Sequence, residues 1–154
     1  MKQGIKEFQI KRLGQNDIEM TRQLFLLFEK VFEMKDFTSV NELYLTKLLQ
    51  KPDFIIYVIV HNNEIIGGLT AYELPMYYSE QSEIFIYDIA IQTEFQRMGL
   101  GKKLLSIIKE YGRQNGIKEI FVAANEEDKY ALDFYRSTGG KAEKVFHFTY
   151  STNH

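Results

Sequence analysis

Apolar residues between positions 17 and 32 recur at helical spacing, at Met20, Leu24, Leu27, Phe28 and Val31, and predict an amphipathic helix that Asn16 or Asp17 can cap. "NELYLTKLL" predicts a second helix with Leu45, Leu48 and Leu49 on one face. Ahead of both, "FQIKRL" reads as a first strand. "FIIYVIV" is rich in β-formers and runs through "HNNE" into "IIGGLTAY". Adjacent asparagines tolerate positive φ, so these two runs form a predicted hairpin. Residues 73–81 then read as a loop.

The second half of the chain changes period. "SEIFIYDIAI" is almost continuously apolar, as a central strand covered on both faces would be. "GKKLLSIIKEYGRQNG" predicts a helix with Leu104, Leu105, Ile107 and Ile108 toward the core and Gly112 or Gly116 to end it. "EIFVA" predicts another strand. "DKYALDFYRST" reads as a short helix ended by Gly139 and Gly140. "EKVFHFTY" alternates like a final antiparallel strand. The order β-α-α-β-β-β-α-β-α-β points to an α/β fold, a single sheet with helices on both faces. At 154 residues the chain is expected to be one domain spanning 1–154.

Composition narrows the functional classes. A formal charge of −2 gives no global attraction to nucleic acid or an anionic membrane, so neither is an expected partner. There is no cysteine, which removes disulfides, thiolate metal sites and a cysteine nucleophile. His61, His147 and His154 are far apart and lack metal-ligand spacing, so no metal is expected. No stretch resembles a signal peptide or a membrane span, and a cytoplasmic location is the expectation.

Two features in "IYDIAIQTEFQRMGLGKKLL" carry candidate chemistry. A strand, a loop with Gly99 and Gly101, and a helix start together make an anion site, because the helix's first amides lack partners and its dipole favours negative charge. Arg97, Lys102 and Lys103 add positive charge there. The spacing fits neither a Walker loop nor a dinucleotide fingerprint. A tight turn with solvated basic residues explains the same letters equally well. The second feature is Asp88 inside an apolar run, where an unpaired carboxylate is costly. Strict alternation would place it on the face of Ile84, Ile86 and Ala90.

"QRMGLG" resembles the Q/R-x-x-G-x-G/A loop of the GNAT superfamily of N-acetyltransferases, with Gln96, Gly99 and Gly101 at its three fixed positions. "DKYALDFYRSTGG" resembles the superfamily's C-terminal signature. "IIGGLTAYELP", "SEIFIYDIAI", "ELYLTKLLQKPDFI" and "VFHF" are similar to the aminoglycoside 3-N-acetyltransferase I branch, the gentamicin acetyltransferases, which confer antibiotic resistance.

The resemblance implies a mixed, mostly antiparallel sheet with a bulged central strand that splays from its neighbour. It implies acetyl-CoA as cosubstrate, with pyrophosphate held by Gln96, Arg97, Met98, Gly99, Leu100, Gly101 and Lys102 and pantetheine paired with Ile89, Ala90 and Ile91. Tyr135 would then protonate the leaving thiolate, although packing on its helix explains it as well. Asp128 stands where the family commonly has a cofactor-contacting asparagine. Asp88 becomes the candidate base, with Glu83 and Tyr78 as candidate contacts for a cationic amine. The expected reaction is direct acetyl transfer to a small-molecule primary amine, the 3-amino group of an aminoglycoside first. A polyamine, an amino sugar, a protein amine, or a CoA-binding domain without turnover stays open. Family members often form homodimers, so a second copy is among the expected partners.

Overall fold

Asn62 and Asn63 both adopt left-handed backbone angles, with φ of 49° and 61°. That is the geometry a two-residue hairpin requires, and it joins β2 (Phe54–His61) to β3 (Glu64–Pro75). The computed structural model describes residues 7–153, which fall into two compact units, one running through Ala123 and the other from Ala124.

The first unit holds β1 (Gln9–Arg12), α1 (Ile18–Val31), α2 (Glu42–Leu49), β2, β3, β4 (Ser82–Ile91), α3 (Leu100–Gln114) and β5 (Ile117–Val122). Its five strands lie in the order β1-β2-β3-β4-β5, antiparallel except for the parallel β4–β5 pair. β3 is longer than the sequence pattern indicates. Glu73 belongs to the strand, its amide donates to the Asp53 carbonyl at 2.8 Å, and the turn is confined to residues 76–81.

Register assigns the two faces. Phe54, Ile56 and Val58 of β2 pair with Tyr72, Thr70 and Gly68 of β3, and α1 covers this side through Leu24, Leu27 and Phe28. A Cβ on Gly68 would lie 2.4 Å from Leu24 Cδ1, so glycine is what allows the helix this close. The opposite side carries Ile55, Ile59, Leu69, Ala71, Ile84 and Ile86, all buried, and faces α3, whose Leu104 and Ile108 are fully buried. Helices therefore cover both faces, as the sequence pattern predicts. Asn41 caps α2 by accepting the Tyr44 amide at 2.8 Å. Asp17 precedes α1 without capping it, its carboxylate instead accepting from Gly14 N and Lys11 Nζ.

The second unit contains α4 (Lys129–Ser137), which Asp128 caps by accepting the Ala131 amide at 3.0 Å. The final strand expected at residues 143–150 does not form. Alternation supplies β propensity, but a strand needs a ladder partner, and here Val145, Phe146, Phe148 and Tyr150 are exposed.

Candidate active site

β4 bulges at its centre. Ile86 pairs with Ala71 and Asp88 with the preceding residue Thr70, so Tyr87 is the extra residue. This corrects the face assigned by strict alternation. Because Thr70 and Ala71 point to opposite faces, so do Asp88 and Ile86. Asp88 lies with Thr70 and Ala90 on the α1 side, and the bulge keeps Tyr87 beside it there.

The bulge also marks where β4 leaves β5. Only residues 82–86 of β4 pair with β5, whereas residues 88–91 have a strand partner on their β3 edge alone, among the described residues. Ile89, Ala90 and Ile91 thus sit on a strand half with one unpaired edge, able to hydrogen-bond an extended chain of amides such as a pantetheine arm.

β4 runs through a short 3-10 turn at Thr93–Phe95 into the glycine loop and α3. Gln96 Nε2 donates to the Ile91 carbonyl at 2.9 Å, so its side chain ties the loop to the strand end. Arg97 and Gly99 have φ of 62° and 78°. Nothing lies within 4 Å of a Cβ built on Gly99, so the backbone angle rather than crowding calls for glycine, and the space over the loop is open. Leu100 is buried and anchors α3, leaving its amide as its contribution to any ligand. Met98 and Lys102 are exposed. The first-turn amides of α3 have no acceptor within the helix. The chemistry of these donors fits a pyrophosphate.

A cavity of about 210 Å³ opens on the α1 side. Asp88, Thr70, Tyr72 and Tyr87 form its sheet wall, Phe25 and Phe28 of α1 its helical wall, and Met34 and Phe37 of the α1–α2 connector its outer wall. Arg22 Nη1 donates to the Val40 carbonyl at 3.1 Å and holds that connector against α1. Burial pushes the Asp88 carboxyl up to about 6, and no cation lies within ion-pair range of it among the described residues. The Tyr72 phenol is raised as well, first by burial and then by Tyr87, Tyr44, Asp53 and Asp88. A carboxylate in this setting is suited to receive an ammonium and take its proton near neutral pH.

The other sequence candidates are dispersed. Glu83 pairs with Leu74 and Glu119, five residues before Asp88 and roughly 16 Å away along the strand. Tyr78 lies in the β3–β4 turn, its ring 5.7 Å from Lys118 Nζ. Neither lines the cavity. Asp128 spends one carboxylate oxygen on its helix cap. Tyr135 of α4 is half-buried, its ring centroid 5.3 Å from that of Phe134. Sequence reasoning missed Tyr72, Tyr87 and the connector residues Met34 and Phe37. The bulge that brings out Tyr87 leaves no mark in an almost continuously apolar run, and the connector lacks periodicity.

Residues 18–139 match the acetyltransferase (GNAT) family. The chain belongs to this family. This acetyltransferase is similar to aminoglycoside acetyltransferase meta-AAC0020 from an uncultured soil metagenomic sample, solved in complex with sisomicin. The two are 44% identical over 95% of this chain and 97% of the other, with a TM-score of 0.92. It is also similar to aminoglycoside acetyltransferase HMB0005, likewise from an uncultured soil metagenomic sample, at 31% identity, covering 96% and 99% of the two chains, with a TM-score of 0.90. The uncharacterized N-acetyltransferase YhfO of Bacillus subtilis (strain 168) is 22% identical over 137 residues, 89% of this chain and 92% of that protein. The enzyme is thus an N-acetyltransferase, of a family that uses acetyl-CoA. Among the described residues no helix is long and apolar enough to cross a membrane.

Proposed function

We propose that this acetyltransferase acetylates an amine of an aminoglycoside, at the 3-amino group of the deoxystreptamine ring, and that residues 1–154 act as one catalytic domain. The observation that carries the reading is Asp88, a half-buried carboxylate with a raised pKa at the wall of an aromatic cavity beside the unpaired half of β4. The similarity to two aminoglycoside acetyltransferases supports the acceptor class.

Acetyl-CoA supplies an activated acetyl group as a thioester. The α3 amides, with Arg97 and Lys102, hold its pyrophosphate, and the backbone of Ile89, Ala90 and Ile91 aligns its pantetheine. A backbone amide of that strand half polarises the thioester carbonyl. Asp88 binds the acceptor ammonium and removes one proton, which frees the nitrogen lone pair to form the C–N bond as the C–S bond breaks. Tyr135 donates its phenolic proton to the departing thiolate and is reprotonated, through water, by the second proton that the acylated nitrogen sheds. No covalent link to the enzyme forms, in keeping with a chain that has no cysteine. Glu83 lies too far along β4 to touch the reacting amine and serves at most a distant ammonium of a long acceptor. The reaction happens in a soluble compartment, with cytoplasm as the proposed location and a homodimer as the proposed assembly.

Release of free CoA thiol from acetyl-CoA, followed across gentamicin, sisomicin, spermidine, glucosamine and a lysine peptide, tests the acceptor class. Stimulation by the aminoglycosides above the other amines is expected. Stimulation by another amine alone would leave only the family assignment.

A further inference from the structure

The β4 bulge does more than turn Asp88 toward the cavity. It places the next side chain, Tyr87, on the same wall, and that ring is 62% exposed although it stands in the middle of a sheet. The exposure is not looseness. Phe85 meets the Tyr87 ring at 5.8 Å and 70°, and Tyr72 meets it at 6.0 Å and 75°, both edge-to-face geometries that favour one ring orientation. Tyr72 is in turn braced by Phe54 at 5.0 Å. The result is a rigid aromatic surface, open to the cavity and one residue away from the carboxylate that would take the amine proton.

A braced, exposed aromatic face beside a carboxylate has a defined chemical preference. It gains dispersion contact with a saturated ring whose C–H groups lie flat on it, and it attracts an ammonium carried by that ring. An open-chain amine gains the charge interaction at Asp88 but covers little of the ring, and it must give up rotamer freedom to do so. We propose that Tyr87 is a specificity-determining residue that selects amines borne on a saturated six-membered ring, such as an amino sugar or an aminocyclitol, over linear polyamines. The inference rests on the reading of the Asp88 cavity as the acceptor site, and it names the feature of the acceptor that the cavity reads.

The test compares steady-state parameters for a ring amine, gentamicin, and a linear amine, spermidine, in the wild type, Tyr87→Phe and Tyr87→Leu. Circular dichroism and CoA titration on each variant show that the fold and cofactor site persist. The expected result is that Tyr87→Leu raises KM for gentamicin about tenfold or more, leaves KM for spermidine within about twofold, and changes kcat little, since the ring touches a part of the acceptor that does not react. Tyr87→Phe keeps the aromatic face and is expected to match the wild type. Equal loss for both amines in Tyr87→Leu, or no loss for either, would overturn the stacking role. So would loss in Tyr87→Phe as large as in Tyr87→Leu, since the hydroxyl would then be the recognised group. Wild-type enzyme that turns over spermidine but not gentamicin would overturn the proposed acceptor, and the loss or survival in Tyr87→Leu of a kcat/KM preference for cyclohexylamine over butylamine would still decide whether Tyr87 reads a ring.

Discussion

The Gln96 side chain donates from Nε2 to the carbonyl of Ile91 at 2.9 Å, linking the glycine loop to the last residue of the strand that precedes it. The two ends of the proposed cofactor site, the half of β4 with one open edge and the α3 amides, are therefore tied to each other. In the proposed site Gln96 acts on the pyrophosphate through the position of the loop. Replacing it with alanine removes one hydrogen bond worth about 1 kcal/mol to the folded loop, which sets a ceiling of roughly fivefold on the loss of CoA affinity. Titration calorimetry with CoA is expected to show that weakening, with kcat at saturating acetyl-CoA unchanged. A fivefold or greater fall in kcat with unaltered CoA affinity would contradict the role.

Asp88 carries two pH signatures. With Asp88 as the proposed base, a folded-state value of about 6 makes the acceptor kcat/KM fall as pH drops through 6, because the base becomes protonated. Asp88→Asn is expected to lose about 10²- to 10⁴-fold in turnover and to lose that acid limb, while CoA binding persists. The stability effect runs the other way. The folded value lies above the ordinary value of 3.8, so the folded chain binds this proton more tightly than the unfolded chain does. Below pH about 3.8 the group is neutral in both states and costs nothing. Stability is lost as pH rises toward 6, and the full cost remains above it. Asp88→Asn should therefore melt above the wild type at pH 8, with the gap closing near pH 4, as read by differential scanning calorimetry. A variant that is less stable at pH 8 would mean that the carboxylate has a partner that holds it charged.

Tyr135 in its proposed role acts on the leaving group alone. Tyr135→Phe is expected to lower kcat by about 10²- to 10⁴-fold with CoA affinity nearly intact. Stopped-flow thiol release at saturating substrates checks it. Wild-type turnover in the phenylalanine variant would make the ring a packing element of α4.

What the sequence made legible depended on how local the cause was. The helical stripe of α1, the Asn62–Asn63 turn and the glycine loop each follow from side chains acting on their own backbone, and each appears where the pattern places it. The bulge at Tyr87 is different. It arises from the register between β3 and β4, so a two-residue period drawn through "IFIYDIAI" puts Asp88 on the wrong face. The connector that walls the cavity with Met34 and Phe37 is held by Arg22 from another element, eighteen residues before its acceptor Val40. Nothing in the spacing announces that bond. The expected last strand shows the converse. Residues 143–150 have the alternation of a strand and, among the described residues, no strand partner.

The product of the reaction tests the proposed acceptor chemistry most directly. Purified enzyme is incubated with acetyl-CoA and gentamicin, and the product is examined by mass spectrometry and by NMR of the isolated drug. The expected product carries a single added acetyl group on the 3-amino nitrogen of the deoxystreptamine ring, formed in step with free CoA thiol. Unmodified gentamicin under conditions in which another class of amine is acetylated would contradict it.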